Sequence, residues 1–306
     1  WQSTYDAWGA SAKDADYNRL CASLTSEKYF GVLDAVWKRS SPAPSGVAYQ
    51  HVSEIPREHV FHVALLAVLN ECLRAGCVPR RLRRGLLRPI PKGVWDCSLQ
   101  RSRPITLCEV LFKILNGVIT RRLEDALTRC GVLPGGNFAG TRGCGTTHTL
   151  HILRSVLECS AERRAPLALG LLDVRRAFDA MAWPSLELTL NTLGVPVPVV
   201  SLFRSLYADF QCEVVTAYGL SASYTVGRGC LQGLPSSGLM WILFYMPLIV
   251  RLRALAASDP ECGFVVRACT CSARGGGGRA ACCQQRCASG AHHACVFSLV
   301  YADDVL

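Results

Sequence analysis

The sequence predicts a mixed α/β (α+β) fold, in which strands are interspersed with helices along the chain. Two apolar, strand-like runs that end in acids support this prediction. The first run, 167–172, leads into Asp173, and the second, 296–301, is followed after one residue by Asp303 and Asp304. Segments with helical spacing of apolar residues lie before and between these runs. We therefore expect helices packed on a sheet whose strands carry the acids.

Apolar periodicity and turn residues predict the elements in order. After a helical or irregular start over 1–50 we expect a helix over 57–76, strand and loop to about 104, helices over about 106–129 and 146–163, a strand to Asp173, helices over 183–193 and 197–209, a hairpin over 211–228 and a helix over 239–255. The helix at 57–76 should be amphipathic, with an apolar face at helical spacing that three leucines widen. That predicted face consists of Val60, Val63, Ala64, Ala67, Val68 and Glu71, with Leu65, Leu66 and Leu69.

The acids at the ends of the two runs predict a divalent metal site. Adjacent side chains on a strand point to opposite faces, so Asp303 can face a cleft while Asp304 flanks it. Buried carboxylates repel one another and lose hydration, and a hard cation removes that cost. If Asp173 lies beside this pair, the three acids can share two metal ions about 3.5–4 Å apart, which suits an in-line phosphoryl displacement. Taken alone, Asp173 is equally compatible with a helix N-cap.

The composition agrees with a nucleic-acid enzyme without identifying one. The 33 Lys and Arg residues exceed the 23 Asp and Glu residues, and the net charge of +10 favours a polyanionic partner. A length of 306 residues allows a large core and more than one subdomain. The stretch nearest to a membrane span, 240–255, contains Arg251 and Arg253. Because a span needs roughly 18–20 uninterrupted apolar residues, no membrane partner is expected.

Two biased clusters have competing interpretations. One run contains six cations and no acid: Arg80, Arg81, Arg83, Arg84, Arg88 and Lys92. Because the run adjoins apolar residues, it predicts a strand that presents cations to phosphate. A solvated face is the simpler alternative.

The chain has seventeen cysteines, which are typical of reduced intracellular thiols. Several of them, with histidines, crowd residues 262–295. Zinc binding is possible there, but Cys-x₂-Cys spacing is missing, so we favour a flexible insertion over about 259–295.

Seven short blocks occur in one order along the chain. They are Ser41-Pro42-Ala43-Pro44-Ser45-Gly46; 72–79 with Leu87-Arg88-Pro89-Ile90-Pro91-Lys92; Arg103-Pro104-Ile105-Thr106-Leu107 with 112–115 and 121–123; Asn137-Phe138-Ala139-Gly140; 173–179; 228–237; and Tyr301-Ala302-Asp303-Asp304. With these blocks the chain resembles reverse transcriptases, most closely those of non-LTR (LINE-like) retrotransposons. The resemblance covers most of the chain, and seven collinear blocks are hard to attribute to chance.

The resemblance implies four nucleotide-binding residues. Lys92 and Arg103 would hold the triphosphate of the incoming nucleotide, for which the planar fork of arginine is well suited. Phe178 would lie under the sugar and exclude a 2′-hydroxyl, and a plain core phenylalanine is the alternative. Gln232 and its neighbours would support the template base and the nucleotide, with an ordinary loop as the alternative. The family's second proline after this glutamine is Gly238 here, which should soften the start of the following helix.

The resemblance also implies a two-metal nucleotidyl transfer. Asp173, Asp303 and Asp304 would be the catalytic acids, and with the Val174 carbonyl they would hold two Mg²⁺ ions, for which Mn²⁺ can substitute. A primer 3′-hydroxyl would attack the α-phosphate of a deoxynucleoside triphosphate on an RNA template. Template RNA, a DNA primer and deoxynucleoside triphosphates are the expected partners. Asp179 is expected to cap or orient the following helix.

The implied architecture is a right-hand polymerase, with helix-rich fingers over an antiparallel palm sheet. We expect an N-terminal extension over 1–50, fingers with the first palm-proximal strands over 51–165, and an incomplete palm core over 166–306. The sequence stops two residues after Asp304, so the thumb is expected to be missing from it. The opening without Met predicts a longer polypeptide, and the resemblance implies that thumb and endonuclease domains belong to it. The way such elements integrate predicts an intracellular, nuclear location.

Three alternative functions stay open. A group II intron-type maturase reverse transcriptase has the same chemistry. A viral RNA-dependent RNA polymerase also tends to carry paired acids, as at Asp173 and Asp179, whereas Phe178 and Ala302 argue against it. The third alternative is an inactive relic that binds nucleic acid through its basic surface.

Overall fold

The computed structural model describes residues 2–12, 16–35, 41–93, 101–133, 145–169, 174–258, 264–269 and 291–296. These residues combine helices with a small sheet, which confirms the predicted mixed fold class. The chain forms two compact units, the first of residues 1–134 and 174–247 and the second of residues 135–173 and 248–306.

The described helices and strands are as follows. The helices are α1 (Gln2–Ala10), α2 (Ser26–Ala35), α3 (Tyr49–Glu54), α4 (Val60–Ala75), α5 (Val110–Arg129), α6 (Thr146–Arg163), α7 (Ala177–Ala180), α8 (Trp183–Thr192), α9 (Val197–Tyr207) and α10 (Ser237–Ser258). The strands are β1 (Arg84–Pro91), β2 (Ser102–Cys108), β3 (Gln211–Thr216), β4 (Gly219–Leu220), β5 (Tyr224–Thr225), β6 (Phe264–Cys269) and β7 (Ala291–Val296), and a 3₁₀ turn (Arg80–Leu82) precedes β1.

The predicted helices are confirmed to within a few residues at α4, α5, α6, α8, α9 and α10. The prediction was wrong at 106–108, which are strand rather than helix, because each of these residues pairs with β1. It was also wrong at 167–169, which have no regular structure and include the 54% exposed Leu169. The remainder of that expected acid-tipped strand lies outside the described residues.

The main sheet of the first unit has the order β2-β1-β3-β4, and β5 also pairs with β3. β1 and β2 form an antiparallel hairpin, whereas β3 runs parallel to β1. A parallel neighbour requires a long crossover, and here α5 to α9 lie between the two strands in sequence. The described sheet is therefore mixed. The acid-bearing ends of the strands expected for the antiparallel palm sheet, 170–173 and 297–304, lie outside the described residues.

One face of the sheet forms part of the core of the first unit. The buried residues of this face include three cross-strand neighbours, Gly85 on β1, Cys108 on β2 and Cys212 on β3. The ring of Phe210 contacts that of Phe112 on α5, with centroids 5.5 Å apart. Eleven of the twenty α5 residues are buried, which makes α5 the central helix of this unit.

The buried stripe of α4 is only part of the predicted one. His62, Leu65 and Leu69 face the core, followed by two further residues of the last turn, so two leucines of the predicted face are buried as expected. The valines and alanines of that face are exposed instead, with Val60 at 70% and Val63 at 65%. Burying leucine removes more apolar area from water than burying valine or alanine. A hydrogen bond of 2.9 Å between the imidazole of His62 and the hydroxyl of Tyr29 also fixes this orientation.

The second unit contains α6, the last residues of α10 and a two-stranded antiparallel ribbon of β6 and β7. α6 lies against β6. The ribbon strands lie near the two ends of the Cys-rich tract. The residues between them lie outside the described part of the chain, so both the zinc and the insertion interpretations of this tract stay predictions. The domain boundaries expected at 50 and 165 also stay predictions.

By length and composition, α10 is the one helix in the described part of the chain that could cross a membrane. Its first half is nevertheless buried in the protein, with a continuous apolar stretch from Leu239 to Leu243 and then Met246. The first half of α10 therefore packs in the core of the first unit.

Candidate nucleotide site

The structure describes five of the predicted site residues: Lys92, Arg103, Val174, Phe178 and Gln232. The three predicted catalytic acids lie outside the described residues: Asp173, Asp303 and Asp304. Among the described residues, no group of three His, Cys, Asp or Glu side chains could hold a metal ion. The predicted metal site is therefore represented only by Val174, the first described residue after Asp173.

Arg103 and Lys92 lie at the loop end of the β1–β2 hairpin. Arg103 pairs with Ile90 across the ladder, and the Lys92 amide donates to the Arg101 carbonyl at 3.0 Å. Strand alternation places Arg103 on the face opposite to the buried Thr106. Arg103 is half-buried and Lys92 is exposed. Both cations therefore belong to the sheet surface that faces away from the core.

The predicted cationic run divides into anchored and exposed residues. Arg83 donates from Nη1 to the Ala208 carbonyl at 2.8 Å, and Arg84 donates from Nε to the Glu109 carboxylate at 3.0 Å. Arg88, on the later half of β1, is exposed. The predicted display of cations thus applies to the end of the hairpin, while the start of the run fastens β1 to the body of the unit.

Glu109 fixes the Pro-rich signature at 41–46 beside the start of α5. It is buried, and its carboxylate accepts hydrogen bonds from the amide of Ser45 at 3.2 Å and from the hydroxyl of Ser45. Arg84 supplies a third donor and the compensating charge. A buried carboxylate requires such donors, because it loses its hydration. The signature therefore has an anchoring role in this structure.

Phe178 lies in the short helix α7. The residue is 9% exposed, and its ring packs against that of Trp241 on α10, with centroids 5.9 Å apart. Arg176, two residues earlier, has φ 52° and ψ 48°, a left-handed conformation that is costly for a residue with a Cβ. Strained backbone of this kind accumulates at ligand sites. The packing of the Phe178 ring is compatible with both of its predicted roles, the sugar gate and the core phenylalanine.

Asp179 follows Phe178 in the first turn of α7. The N-cap residue of the longer helix α8 is Ala182, so Asp179 does not cap α8 as expected. Burial raises the pKa of Tyr224 to about 12, and the nearby charge of Asp179 contributes to this shift. Asp179 therefore lies close enough to the β5 tyrosine to interact with it.

The loop before α10, residues 228–236 (the Gln232 segment), docks on the edge of β2 opposite to β1. The Thr106 amide donates to the Gln232 carbonyl at 2.7 Å. Gly233 has φ +107°, and a Cβ there would lie 3.0 Å from the Thr106 carbonyl oxygen, so the close approach suits glycine. Since Arg103 lies three residues earlier on the same strand, Gln232 and Arg103 are held by one element.

The start of the Gln232 segment is fastened to α7. The Cys230 amide donates to the Phe178 carbonyl at 2.8 Å, and the Gly229 amide donates to the Met181 carbonyl at 3.0 Å. Trp183 Nε1 donates to the Gly229 carbonyl at 3.1 Å. Gly229 has φ +87°, and a Cβ there would lie only 2.8 Å from the Phe178 carbonyl oxygen. The segment therefore links α7 with β2, the two elements that carry Phe178 and Arg103.

A buried polar network, which the sequence analysis missed, holds the end of the Gln232 segment. Asn116 and Ser236 are 0% exposed. Asn116 Nδ2 donates to Ser236 Oγ at 2.8 Å, and the Ser236 amide donates to Asn116 Oδ1 at 3.0 Å. The Tyr207 hydroxyl lies 2.9 Å from Ser236 Oγ, and burial raises its pKa well above the ordinary value, so it stays protonated. The available sequence signal was an asparagine inside an otherwise apolar helical stretch.

Comparison with known proteins gives a family match. A family model described as reverse transcriptase (RNA-dependent DNA polymerase) matches residues 90–306. The "Transposon TX1 uncharacterized 149 kDa protein" of Xenopus laevis is 27% identical over 205 residues, which are 66% of this chain and 16% of that protein. The "Retrovirus-related Pol polyprotein from type-2 retrotransposable element R2DM" of Drosophila melanogaster is 28% identical over 208 residues, 67% of this chain and 18% of that protein.

A third relative is the "Probable RNA-directed DNA polymerase from transposon BS" of Drosophila melanogaster, which is 25% identical over 228 residues, 73% of this chain. The match covers 24% of that protein. The chain thus spans about a quarter or less of the length of these relatives.

Proposed function

The chain belongs to the reverse transcriptase (RNA-dependent DNA polymerase) family, and from this premise we propose that it serves RNA-directed DNA synthesis in a retrotransposon protein. In this reaction a primer 3′-hydroxyl attacks the α-phosphate of a deoxynucleoside triphosphate that is paired with template RNA. A phosphodiester bond forms, the bond between the α- and β-phosphates breaks, and pyrophosphate leaves. The other domains of such a protein, a thumb and an endonuclease, and a nuclear location are part of the same proposal.

One observation supports the proposal most strongly. The Gln232 segment is hydrogen-bonded at its start to the Phe178 carbonyl and at its middle to the amide of Thr106, on the strand of Arg103. These bonds hold three elements that bear the proposed nucleotide contacts. Preorganisation of this kind favours binding, because little further conformational entropy is lost when the ligand binds.

Each proposed contact has a distinct task. Arg103 offers a planar fork to phosphate oxygens, which it can meet bidentately, and Lys92 offers a point charge on an exposed stem. Phe178 would limit the space at the 2′ position of the sugar. Gln232, whose carbonyl is already used by Thr106, would contribute its side chain or its neighbours to the base pair.

The donor set proposed for the metal is made of oxygen atoms only. Asp173, Asp303, Asp304 and the Val174 carbonyl would hold Mg²⁺, with Mn²⁺ as a substitute, because hard cations prefer carboxylate and carbonyl oxygens. Bound magnesium would supply charge neutralisation at the phosphates and acidify the primer hydroxyl. The chain's own residues would bind, orient and shield the nucleotide.

Primer extension by the full-length protein that contains this chain tests the function, with an RNA template, a DNA primer, deoxynucleoside triphosphates and Mg²⁺. We expect Asp303→Asn to lower extension by orders of magnitude while RNA binding changes little. Asp209→Asn is the matched control, since Asp209 is an exposed acid with a side chain 66% accessible. Magnesium-dependent binding of a fluorescent deoxynucleotide analogue gives a second readout for the same variants. Near-normal extension by Asp303→Asn contradicts the assignment.

A further inference from the structure

Tyr218 occupies the two-residue turn between β3 and β4, and its side chain is fully exposed, at 101%. A tight turn is formed readily by glycine, asparagine or aspartate, so the fold itself does not call for an aromatic ring at this position. A tyrosine ring presents a large apolar face that favours a partner. The ring is therefore available for contact with another molecule.

The backbone that carries this ring is fixed. The Tyr218 amide donates to Thr216 Oγ1 at 3.2 Å, and the Thr216 hydroxyl donates to the Gly219 carbonyl at 2.7 Å. Two pairs further from the tip, the Val214 amide donates to Ser221 Oγ at 2.9 Å, and the Ser221 amide donates back to the Val214 carbonyl at 3.0 Å. Residues 216–219 (the tyrosine tip) are thus preorganised, which lowers the entropy lost on binding.

The sheet register brings the tyrosine tip to the cationic end of the neighbouring hairpin. Leu87 lies opposite Val214 in the parallel β1–β3 ladder. Tyr218 is four residues beyond Val214, and Pro91, the end of β1, is four residues beyond Leu87. Parallel neighbours lie about 4.8 Å apart. The turn at Tyr218 and the hairpin end that starts at Lys92 therefore project from the same end of the sheet.

The chemistry of this end suits an unpaired nucleic-acid strand. Arg88 and Lys92 are exposed, and Arg103 lies beside them on β2. Proteins that bind single strands combine cations, which follow the phosphates, with aromatic rings, on which unpaired bases stack. The chain's net charge of +10 favours the same polyanionic partner over a protein surface.

We propose that the tyrosine tip and the adjoining cationic end of the β1–β2 hairpin bind single-stranded nucleic acid, with Tyr218 stacking on one unpaired base. The proposal rests on the proposed function and specifies its partner, since the unpaired part of the template RNA is the strand that the reaction supplies. A duplex cannot use the ring in the same way, because its bases are already stacked.

The test is the affinity of the full chain for a labelled single-stranded RNA oligonucleotide, measured by fluorescence anisotropy at several salt concentrations. We expect Tyr218→Ala to weaken binding by roughly 5- to 150-fold, the range found for loss of one base–aromatic stack. Tyr218→Phe should retain the affinity, and Tyr218→Leu, which keeps bulk without a π-face, should lose it. Leu188→Ala, at another exposed apolar residue (60%), is the matched control and should change nothing.

The salt dependence separates stacking from charge. Arg88→Ala should reduce the slope of log affinity against log salt by about 0.7, the value for one phosphate contact on a single strand. Tyr218→Ala should leave the slope unchanged, because stacking releases no counterions. On duplex RNA, Tyr218→Ala should have no more than about a twofold effect, whereas Arg88→Ala should still act.

An affinity of Tyr218→Ala for single-stranded RNA within twofold of the parent overturns the inference, and so does an equal loss on duplex RNA. The first result would leave the tip as a contact for a protein. If the inference fails while Asp303→Asn still abolishes primer extension, the proposed function stands alone. If the parent chain binds no single strand even at low salt, both fail together.

Discussion

Replacing Asn116 with alanine removes both of its bonds to Ser236, 120 positions away in sequence. The amide of Ser236, fully buried, would then have no acceptor, which costs about 1–3 kcal/mol. The hydroxyl of Ser236 would keep the Tyr207 hydroxyl at 2.9 Å. A small cavity left by the missing amide group adds about 1 kcal/mol. We expect Asn116→Ala to lower the free energy of unfolding by about 2–4 kcal/mol.

Urea denaturation measures this loss, as a shift in midpoint at unchanged m-value. Thr120→Val is the matched control on the same helix, since Thr120 donates a single side-chain bond to the Asn116 carbonyl and should cost about 0.5–1.5 kcal/mol. A loss below about 1 kcal/mol for Asn116→Ala, equal to that of the control, would refute the argument. It would mean that the Ser236 amide finds another partner when Asn116 is absent.

A double-mutant cycle isolates one bond of the network. Ser236→Ala keeps the main-chain bond to Asn116 Oδ1 but leaves the Asn116 Nδ2 group without its hydroxyl acceptor. The double variant should therefore lose less stability than the sum of the two single variants. The difference should be about 0.5–1.5 kcal/mol, the value of one buried neutral hydrogen bond. Strict additivity would show that the two side chains act independently.

Two further predictions concern a close approach and a buried hydroxyl. Gly229→Ala should lower the free energy of unfolding, measured by urea denaturation, by at least about 2 kcal/mol, because the new Cβ would lie 2.8 Å from the Phe178 carbonyl oxygen at φ +87°. Gly131→Ala, at φ +65° with open space around it, should lower it by only about 1–2 kcal/mol. Equal losses for the two variants would contradict the packing argument. Burial raises the pKa of Tyr17, which donates to the Leu193 carbonyl, from 10.0 to about 12. The protonated form is favoured in the folded state, so this stability is complete below pH 10 and is lost as the pH rises towards 12. In Tyr17→Phe, the urea midpoint should fall less steeply with pH between 10 and about 12 than in the parent chain. A slope equal to that of the parent would contradict this prediction.

Sequence patterns predicted the helices well where the signals come from residues close together in sequence. α6 has the predicted bounds of 146–163, and α8 begins at Trp183, where Pro184 lies in the first turn. Such signals depend only on residues within one or two turns. The exposed face of α4 could not be predicted in the same way, because one stripe of leucines and another of valines and alanines share helical spacing. The choice between them depended on Tyr29, 33 positions before His62.

The candidate site shows the same division. The positions of Arg103 and Phe178 followed from short motifs, but what holds them together is a set of contacts between distant segments. The bond between Thr106 and Gln232 and that between Cys230 and Phe178 involve main-chain atoms, whose partners no side-chain pattern reveals. Asn116 was hidden for a related reason, since a single polar residue in an apolar helix does not say which distant group it meets.

The start of α10 shows how a departure from a family pattern can be offset by local chemistry. Gly238 stands where the family has proline, and glycine lowers helix stability by about 1 kcal/mol relative to alanine. The preceding residue supplies fixation that the proline would otherwise provide, since the Ser237 hydroxyl donates to the Leu231 carbonyl at 2.7 Å and its amide donates to the Leu234 carbonyl at 3.2 Å. Two hydrogen bonds of about 0.5–1.5 kcal/mol each are sufficient to offset the glycine. Hydrogen bonds from Ser237, the first residue of α10, to two carbonyls of the Gln232 segment therefore hold the start of the helix in the absence of the second proline.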